Sequence, residues 1–349
     1  MIARVVIGAN FGDEGKGLVT DWLCSQGAGA VVRFNGGAQA GHTVVTPSGQ
    51  RHVFRHFGSG TFCGVPTFLS QFFVCNPILF FEELKQLAAL GIKPLIFAHP
   101  DCLVTTFADM MINQSKENKR ANKRHGSCGI GFHETIVRSK HVPHLKITMG
   151  DLWNGGNRLE SQVAEICDKY ARFRTGEKIE ESKAAEVFVK GCAEFAQCIH
   201  PAGIGQCKDP VFEGAQGLLL DQNNKEFFPH VTHSNTGMTN VEILCAQSGI
   251  TQKEVYYVSR TYLTRHGAGR LPSENSALKY HDDTNVPTQF QGSLRFAPLD
   301  SRTLQERCKE DAGTNCHRLV LTHCDQQPAP CGADVFTNGP ARNDIRNRV

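Results

Sequence analysis

The sequence predicts an α/β fold with a central, mostly parallel sheet flanked by helices. Three observations carry this. Short β-branched runs of strand length recur along the chain. Stretches with helical apolar spacing separate them. A glycine-rich loop joins the first strand to the first helix.

The elements follow in order. Val5-Val6-Ile7 reads as a buried strand, and Gly8 to Gly17 as a loop. Leu18 to Cys24 suits a helix, and Ala30 to Phe34 a second strand. Asn76-Pro77 opens the next helix, with Asn as N-cap and Pro at the first helical position. Its apolar face is Phe80, Phe81, Leu84, Leu87 and Ala88, and Gly91 ends it. Pro94 to Ala98 is another strand. Leu159, Val163, Ile166 and Tyr170 recur at helical spacing. Ala184 to Ala196 reads as a further helix. Val211 to Gly217 is a strand ending in a functional turn. Val255 to Val258 and Leu319 to Thr322 are later strands. Asn113 to His125 is polar and basic, and residues 113–126 read as a mobile surface loop. No repeat or linker interrupts the chain, so residues 1–349 are expected to form one domain with insertions.

Composition narrows the function. Thirty-seven Lys and Arg against 34 Asp and Glu leave a net charge of +3, too small for a nucleic-acid surface. The run Lys116, Lys119, Arg120, Lys123 and Arg124 is better explained as a loop ordering over substrate phosphates. The N-terminus lacks the pattern of a secretion signal. The most apolar stretch, Phe68 to Phe81, is too short for a bilayer and contains Gln71, Asn76 and Pro77. No membrane association and a cytoplasmic location are expected. The 14 cysteines contain no C-x-x-C pair. They read as reduced thiols acting as small hydrophobes rather than disulfides or zinc ligands.

The chemistry concentrates in the loops. Gly12, Gly15 and Gly17 bracket Asp13, Glu14 and Lys16 directly after a strand. Glycines let several N–H groups face one anion, and the following helix N-terminus adds positive potential. This is not the standard P-loop, because Asn10 replaces Gly and Gly17 replaces the magnesium-binding Ser or Thr. Arg33 to Val44 then sets His42 among small residues after a strand, where it can approach a bound phosphate.

Three segments carry a resemblance: Gly-Asp-Glu-Gly-Lys-Gly at 12–17, Asn-Gly-Gly-x-x-Ala-Gly-His-Thr at 35–43, and Phe-Glu-Gly-Ala-Gln-Gly-x-Leu-Leu-Asp at 212–221. Together they resemble the adenylosuccinate synthetase family. Thr232-His233-Ser234-Asn235-Thr236 is similar to the family's Val-Thr-Ser-Ser-Asn-Thr segment. Thr264 to Glu274 resembles its Thr-Arg-Val-Gly-x-Gly-Pro-Phe-Pro-Thr-Glu segment, and Gly339-Pro340 also fits. The resemblance implies the family's P-loop-NTPase-like fold. It implies that aspartate is joined to C6 of a purine nucleotide after a nucleoside triphosphate phosphorylates the 6-oxygen. Asp13 would be the base and a Mg2+ ligand, and His42 the acid. The Gly41 carbonyl would be a second magnesium ligand. Gly12, Glu14, Gly15, Lys16, Gly17, Gly41, Thr43, Asp325 and Gly339 would hold the triphosphate. Asn35, Gln39, Gln216 and Thr232 would bind the purine nucleotide, and Thr232 its 5′-phosphate.

Departures matter as much. The family's Thr-Thr-Gly-Arg-Gly-Ile-Gly-Pro loop is His125 to Phe132 here, with Cys128 in place of Arg and Ser127 as replacement phosphate donor. Arg138 would reach a neighbouring subunit's nucleotide. Gly292-Ser293-Leu294-Arg295 keeps only the second arginine of the aspartate loop, so Arg295 would pair with aspartate. The Arg replaced by Ser293 normally contacts the ribose 2′-hydroxyl. The guanine-reading Lys-x-Asp is His323-Cys324-Asp325. Gln39 stands where the family has Asn. These features resemble the viral 2-amino-2′-deoxyadenylosuccinate synthetase branch. That branch joins aspartate to dGMP on the route to diaminopurine DNA, in the host cytoplasm. IMP is the alternative acceptor. The donor is left open among ATP, dATP and GTP, and a homodimer is implied. A non-catalytic nucleotide-binding regulator would need neither Asp13 nor His42. A simple phosphohydrolase would release phosphate without aspartate.

Overall fold

The computed structural model describes residues 2–120, 126–155, 158–170, 181–285, 292–330 and 332–348. Ten strands form one sheet. Their spatial order is Ile345–Asn347, Val335–Thr337, Cys316–Thr322, Gln252–Arg260, Ile2–Gly8, Pro210–Glu213, Ala30–Arg33, Thr67–Leu69, Ile96–Ala98 and His200–Pro201. All neighbours pair in parallel except the edge pair Val335–Thr337 and Ile345–Asn347. The central strands are buried on both faces, which is why they read as unbroken apolar runs rather than alternating ones. Val5, Val6, Ile7, Val31 and Val32 are all inaccessible to solvent.

Helices cover the sheet. Lys16–Cys24 packs Leu18, Val19 and Leu23 against one face, with Val6, Val31, Val211 and Val258. On the other face Met238–Ser248 and Ser301–Ala312 bury Val241, Leu244, Leu304 and Cys308 against Val5, Phe212, Val255 and Leu319. A third cluster gathers Phe54, Phe57, Phe73, Phe80 and Phe195. Each fully buried Phe contributes roughly 1.5–3 kcal/mol of transfer free energy.

The Asn76 expectation holds: its side chain accepts from the Ile78 and Leu79 N–H groups, and Pro77 begins a helix to Ala89. Its predicted apolar face needs one change. Ala88 is exposed, and Glu83 is buried, accepting from the Arg55 and His56 N–H groups at 2.8 and 2.7 Å. The helix expected at 184–196 runs Glu181–Cys198.

The basic loop expectation is corrected. Phe107–Arg120 is a helix that buries Ala108, Asp109, Ile112 and Glu117. Its charged residues Lys116, Lys119 and Arg120 masked that buried stripe. Residues 121–125 lie outside the described part. The 13 described cysteines are free thiols. Among the described residues no helix is long and apolar enough to cross a membrane.

Candidate active site

The predicted motifs converge because they follow parallel strands at their carboxyl ends, where α/β sheets bind ligands. The glycine loop follows Ile2–Gly8, the Asn35–His42 segment follows Ala30–Arg33, and the Gln216 turn follows Pro210–Glu213. Asp325 and Gly339 follow Cys316–Thr322 and Val335–Thr337 at the same end.

Close approach explains the glycines. A Cβ on Gly17 would lie 2.8 Å from the Thr43 carbonyl oxygen, so only glycine lets the hairpin strand His42–Val45 sit on the helix start. Gly15 caps that helix at φ +93°, a conformation that favours glycine. Asp13 itself sits at φ +57°, in the left-handed region that few non-glycine residues adopt. Its carbonyl accepts from Arg260 Nε, and Arg260 in turn pairs with Asp282 at 2.6 Å.

Buried charge surrounds the loop. Lys16 and Glu14 are both buried. The Glu14 carboxyl accepts from the Asn10 backbone and side chain at 2.8 and 2.9 Å. Burial pushes it up to about 7 against the pull of Lys16 and Asn10. Burial likewise pushes Lys16 down, opposed by Glu14 and Asp13.

His42 has a partner that the sequence reading did not assign. Its Nδ1 lies 2.7 Å from Glu213 Oε1. Burial pulls the imidazole down and Glu213 opposes it. Glu213 is fully buried, yet His42, Arg33 and Ser59 outweigh the desolvation and hold its carboxyl at about 2. The Ser59 hydroxyl bonds Oε1, and Arg33 Nε lies 3.8 Å from Oε2. A carboxylate against Nδ1 fixes the Nδ1–H tautomer. Nε2 has no protein partner and is the atom left to exchange a proton. Glu213 is visible in sequence only as the acid ending a strand before Gly214-Ala215-Gln216-Gly217.

Another group of cleft residues carries amides without protein partners. Both side-chain polar atoms of Gln39 and the Oε1 of Gln216 are buried and unbonded within the protein. They approach one point: a Cβ on Gly36 would lie 3.4 Å from Gln39 Nε2 and 3.5 Å from Gln216 Oε1. The Thr43 hydroxyl is also buried without a partner. A buried amide left unbonded is costly, and a ligand or an ordered water would complete its bonds.

Two predicted binding residues are turned inward. Arg138 is fully buried. Its Nε and Nη2 bond Asp109 at 3.0 and 2.9 Å, and Nη2 also bonds the Val104 carbonyl at 3.1 Å. With the guanidinium consumed by this internal pair, Arg138 does not reach out to another subunit. Asn35 is likewise committed. Its Oδ1 accepts from Ala215 N at 2.7 Å, and its Nδ2 donates to the Ala215 and Asn235 carbonyls at 3.2 and 3.0 Å. It braces the Gln216 turn rather than facing the cleft.

The remaining positions lie around the rim. Ser127 Oγ accepts from Asn113 at 2.9 Å, and the Cys128 thiol faces the Gln39 carbonyl at 3.9 Å. The Thr232 N–H donates to the Leu220 carbonyl at 2.8 Å. Gly292 and Ser293 are exposed, with Gly292 at φ +67°. Arg295 holds Glu274 at 2.6 Å and donates to the Gly267 and Gly269 carbonyls at 2.9 and 2.7 Å. Asp325 is exposed, and Gly339 closes a turn onto the Thr337 hydroxyl.

The donor set suits a hard cation. The Asp13 carboxylate is one third exposed, with His266 Nδ1 at 3.9 Å, beyond hydrogen-bonding reach. Gly41 is exposed, directly before the strand His42–Val45. A carboxylate and a backbone carbonyl are both hard oxygen donors, the type that magnesium takes.

Fold and site together define a parallel-sheet α/β protein whose glycine loop opens at the carboxyl ends of the strands. A model of adenylosuccinate synthetase matches residues 5–316, and the chain belongs to that family. It is 30% identical over 283 residues to the adenylosuccinate synthetase of Acinetobacter baylyi, covering 77% of this chain and 63% of that one. It is 31% identical over 333 residues to the adenylosuccinate synthetase of Picrophilus torridus, covering 92% and 76%. The chain spans just under two thirds of the bacterial relatives it matches. Two solved structures share its fold. Fully ligated adenylosuccinate synthetase from Plasmodium falciparum has a TM-score of 0.74 at 21% identity, covering 95% of this chain and 78% of that one. Succinoaminodeoxyadenylate synthetase of cyanophage S-2L, bound to dGMP and dATP as an energy donor, has a TM-score of 0.64 at 15% identity. It covers 99% of this chain and 95% of that one.

Proposed function

We propose that the chain is a carbon–nitrogen ligase that joins L-aspartate to C6 of dGMP. The product is 2-amino-2′-deoxy-N6-succinyladenylate. The observation that carries the reading is the His42–Glu213 pair, with Nε2 of His42 free, beside the Asp13 loop.

In this reading Asp13 takes the N1 proton of the purine. The 6-oxygen attacks the γ-phosphorus, and the nucleoside diphosphate leaves. The aspartate amine then adds at C6, and the C6–O bond breaks to release phosphate. His42 Nε2, an acceptor in the Nδ1–H tautomer, takes a proton from the aspartate ammonium as it adds, Glu213 stabilises the imidazolium so formed, and Nε2 gives that proton to the departing 6-oxygen. Lys16 and the loop N–H groups hold the transferred phosphoryl group. Magnesium held by Asp13 and the Gly41 carbonyl, when bound, supplies charge neutralisation there. Arg295 pairs with an aspartate carboxylate.

Two observations favour dGMP over IMP. The side-chain Oε1 of Gln39 is buried without a partner in the protein, and an acceptor there suits a 2-amino donor. Ser293 stands where the family's arginine meets a 2′-hydroxyl that dGMP lacks. The match to the cyanophage enzyme in length agrees, since the chain covers 95% of it. The donor is ATP, dATP or GTP, and the reading includes a homodimer in the cytoplasm, that of a host cell if the gene is viral.

The test crosses IMP, GMP and dGMP with each triphosphate, in the presence of aspartate and magnesium. Aspartate-dependent phosphate release with dGMP is expected. Turnover of IMP alone would reject the dGMP assignment.

A further inference from the structure

The Asp13 loop is held by the ends of the strands beside it. Asn10 Nδ2 donates to the Ser259 hydroxyl at 2.9 Å, and the Thr322 hydroxyl donates to the Glu14 carbonyl at 2.9 Å. Between these ties sits Asp13, at a positive φ that a non-glycine residue keeps only where its surroundings fix it. Its own tie is Arg260, whose Nε donates to the Asp13 carbonyl from the last residue of the strand Gln252–Arg260. That strand runs parallel to Ile2–Gly8 with Val258 opposite Gly8, so Arg260 stands beyond the strand end, level with the loop.

Arg260 is buried and needs a counter-charge. Its Nη2 pairs with Asp282 Oδ2 at 2.6 Å. Asp282 is itself fixed. Its Oδ1 accepts from the Thr284 and Asn285 N–H groups, both at 2.8 Å, and its Oδ2 from Asn285 Nδ2 at 2.8 Å. The chain just before it is anchored as well. The Tyr280 ring stacks on Tyr262 at 3.6 Å with 5° between the planes, and Gln326 Nε2 donates to the His281 carbonyl at 3.0 Å. The Asn285 carbonyl accepts from His266 Nε2 at 3.3 Å, and the other nitrogen of that ring lies 3.9 Å from the Asp13 carboxylate. Residues 280–285 thus reach the Asp13 carbonyl through Arg260 and border its carboxylate through His266.

We propose that Asp282 is a positioning residue that acts on Asp13 through Arg260. The proposal deepens the reading above and rests on it, since that reading gives Asp13 the N1 proton. The guanidinium is planar and rigid, with Nε on the Asp13 carbonyl and Nη2 on Asp282. The Asp282 carboxylate therefore sets where the fork points, and the fork sets the Asp13 peptide and the direction of its side chain. A misplacement of about 1 Å at a reacting group costs up to about a hundred-fold in rate. Arg260 and Asp282 bind no substrate in this role, so turnover depends on them and affinity does not.

The experiment is steady-state kinetics of the full chain with dGMP, aspartate, magnesium and triphosphate. Wild type is compared with Asp282→Asn, Arg260→Met and the double variant. Asp282→Asn keeps an acceptor for the Thr284 and Asn285 N–H groups and removes the charge facing Arg260. It should lower kcat about ten-fold, the worth of one charge-assisted bond, with each KM changed by less than about three-fold. Arg260→Met should lower kcat at least as far. In the Arg260→Met background Asp282→Asn should have no further effect, because Asp282 acts only through the guanidinium. Rates are taken per folded chain, counted by circular dichroism, and Asp282→Asn decides alone if Arg260→Met does not fold. A kcat for Asp282→Asn within about two-fold of wild type, the spread of a neutral change, overturns the proposal. So does an equal fall from Asp282→Asn in both backgrounds, which is the mark of a purely structural residue. Wild-type protein with no aspartate-dependent phosphate release from IMP, GMP or dGMP overturns the ligase reading itself. With IMP as the sole acceptor only the choice of base falls, and the same comparison with IMP decides the positioning role.

Discussion

The Nδ1 atom of His42 lies 2.7 Å from Oε1 of Glu213, and both side chains are buried. The carboxylate stays ionised down to about pH 2 because His42, Arg33 and Ser59 outweigh its burial. Glu213→Gln keeps the shape and removes the charge that orients and stabilises the imidazole. We expect kcat to fall about a hundred-fold or more, with nucleotide KM changed only a few-fold. Steady-state kinetics checks this, and a kcat within two-fold of wild type would remove Glu213 from the mechanism.

Gly17 permits the hairpin to rest on the helix start. In Gly17→Ala the new methyl would lie 2.8 Å from the Thr43 oxygen. The expected cost is about 1–3 kcal/mol of overpacking, relieved by moving His42–Val45 off the loop. Thermal unfolding should show a lower Tm, and the KM for triphosphate should rise.

Arg138 and Asp109 form a fully buried pair. Arg138→Leu leaves the Asp109 charge without its partner and should cost about 3–5 kcal/mol. Urea unfolding measures it. Unchanged stability combined with a raised nucleotide KM would restore the substrate-reaching role that the buried geometry contradicts.

Arg295 already bonds Glu274 and two carbonyls of the 267–269 turn. Arg295→Leu should raise the aspartate KM about ten-fold or more, the worth of a charge-assisted pair. The nucleotide KM should change far less. Equal rises for both substrates would mean that Arg295 only shapes the turn.

His323 gives an acid-side prediction. Burial first, then Arg260, push its imidazole down to about 3 from an ordinary 6.5. Between those values the unfolded chain binds the extra proton. Stability from this group is therefore complete above pH 6.5 and is lost as pH falls toward 3. The slope is up to about 1.4 kcal/mol per pH unit for one group. His323→Asn tolerates the positive φ of 60° and should flatten that part of the profile. Urea unfolding from pH 7 to 4 compares the two proteins.

The sheet and cleft loops were legible because their signals are local. A β-branched run followed by glycines needs no knowledge of distant residues. Asn76-Pro77 likewise announces its own helix. The inward turn of Arg138 is not legible locally, because it depends on Asp109, which lies in a helix disguised by Lys116, Lys119 and Arg120 as a surface loop. Nothing near Asn35 in sequence reveals that Ala215 and Asn235 occupy its amide. Glu213 has no legible role within its motif, since its meaning arises only when the parallel sheet sets it beside His42. The Arg260–Asp13 contact joins two segments that no short window contains.

The central claim is that the nucleotide's own 6-oxygen leaves as part of phosphate. Labelling that oxygen of dGMP with heavy oxygen, then incubating with aspartate, magnesium and triphosphate, tests it directly by mass spectrometry. The account predicts one heavy oxygen in each inorganic phosphate released, with matching loss from the succinylated product. Unlabelled phosphate, formed at the same rate without aspartate, would contradict it and mark the chain as a hydrolase.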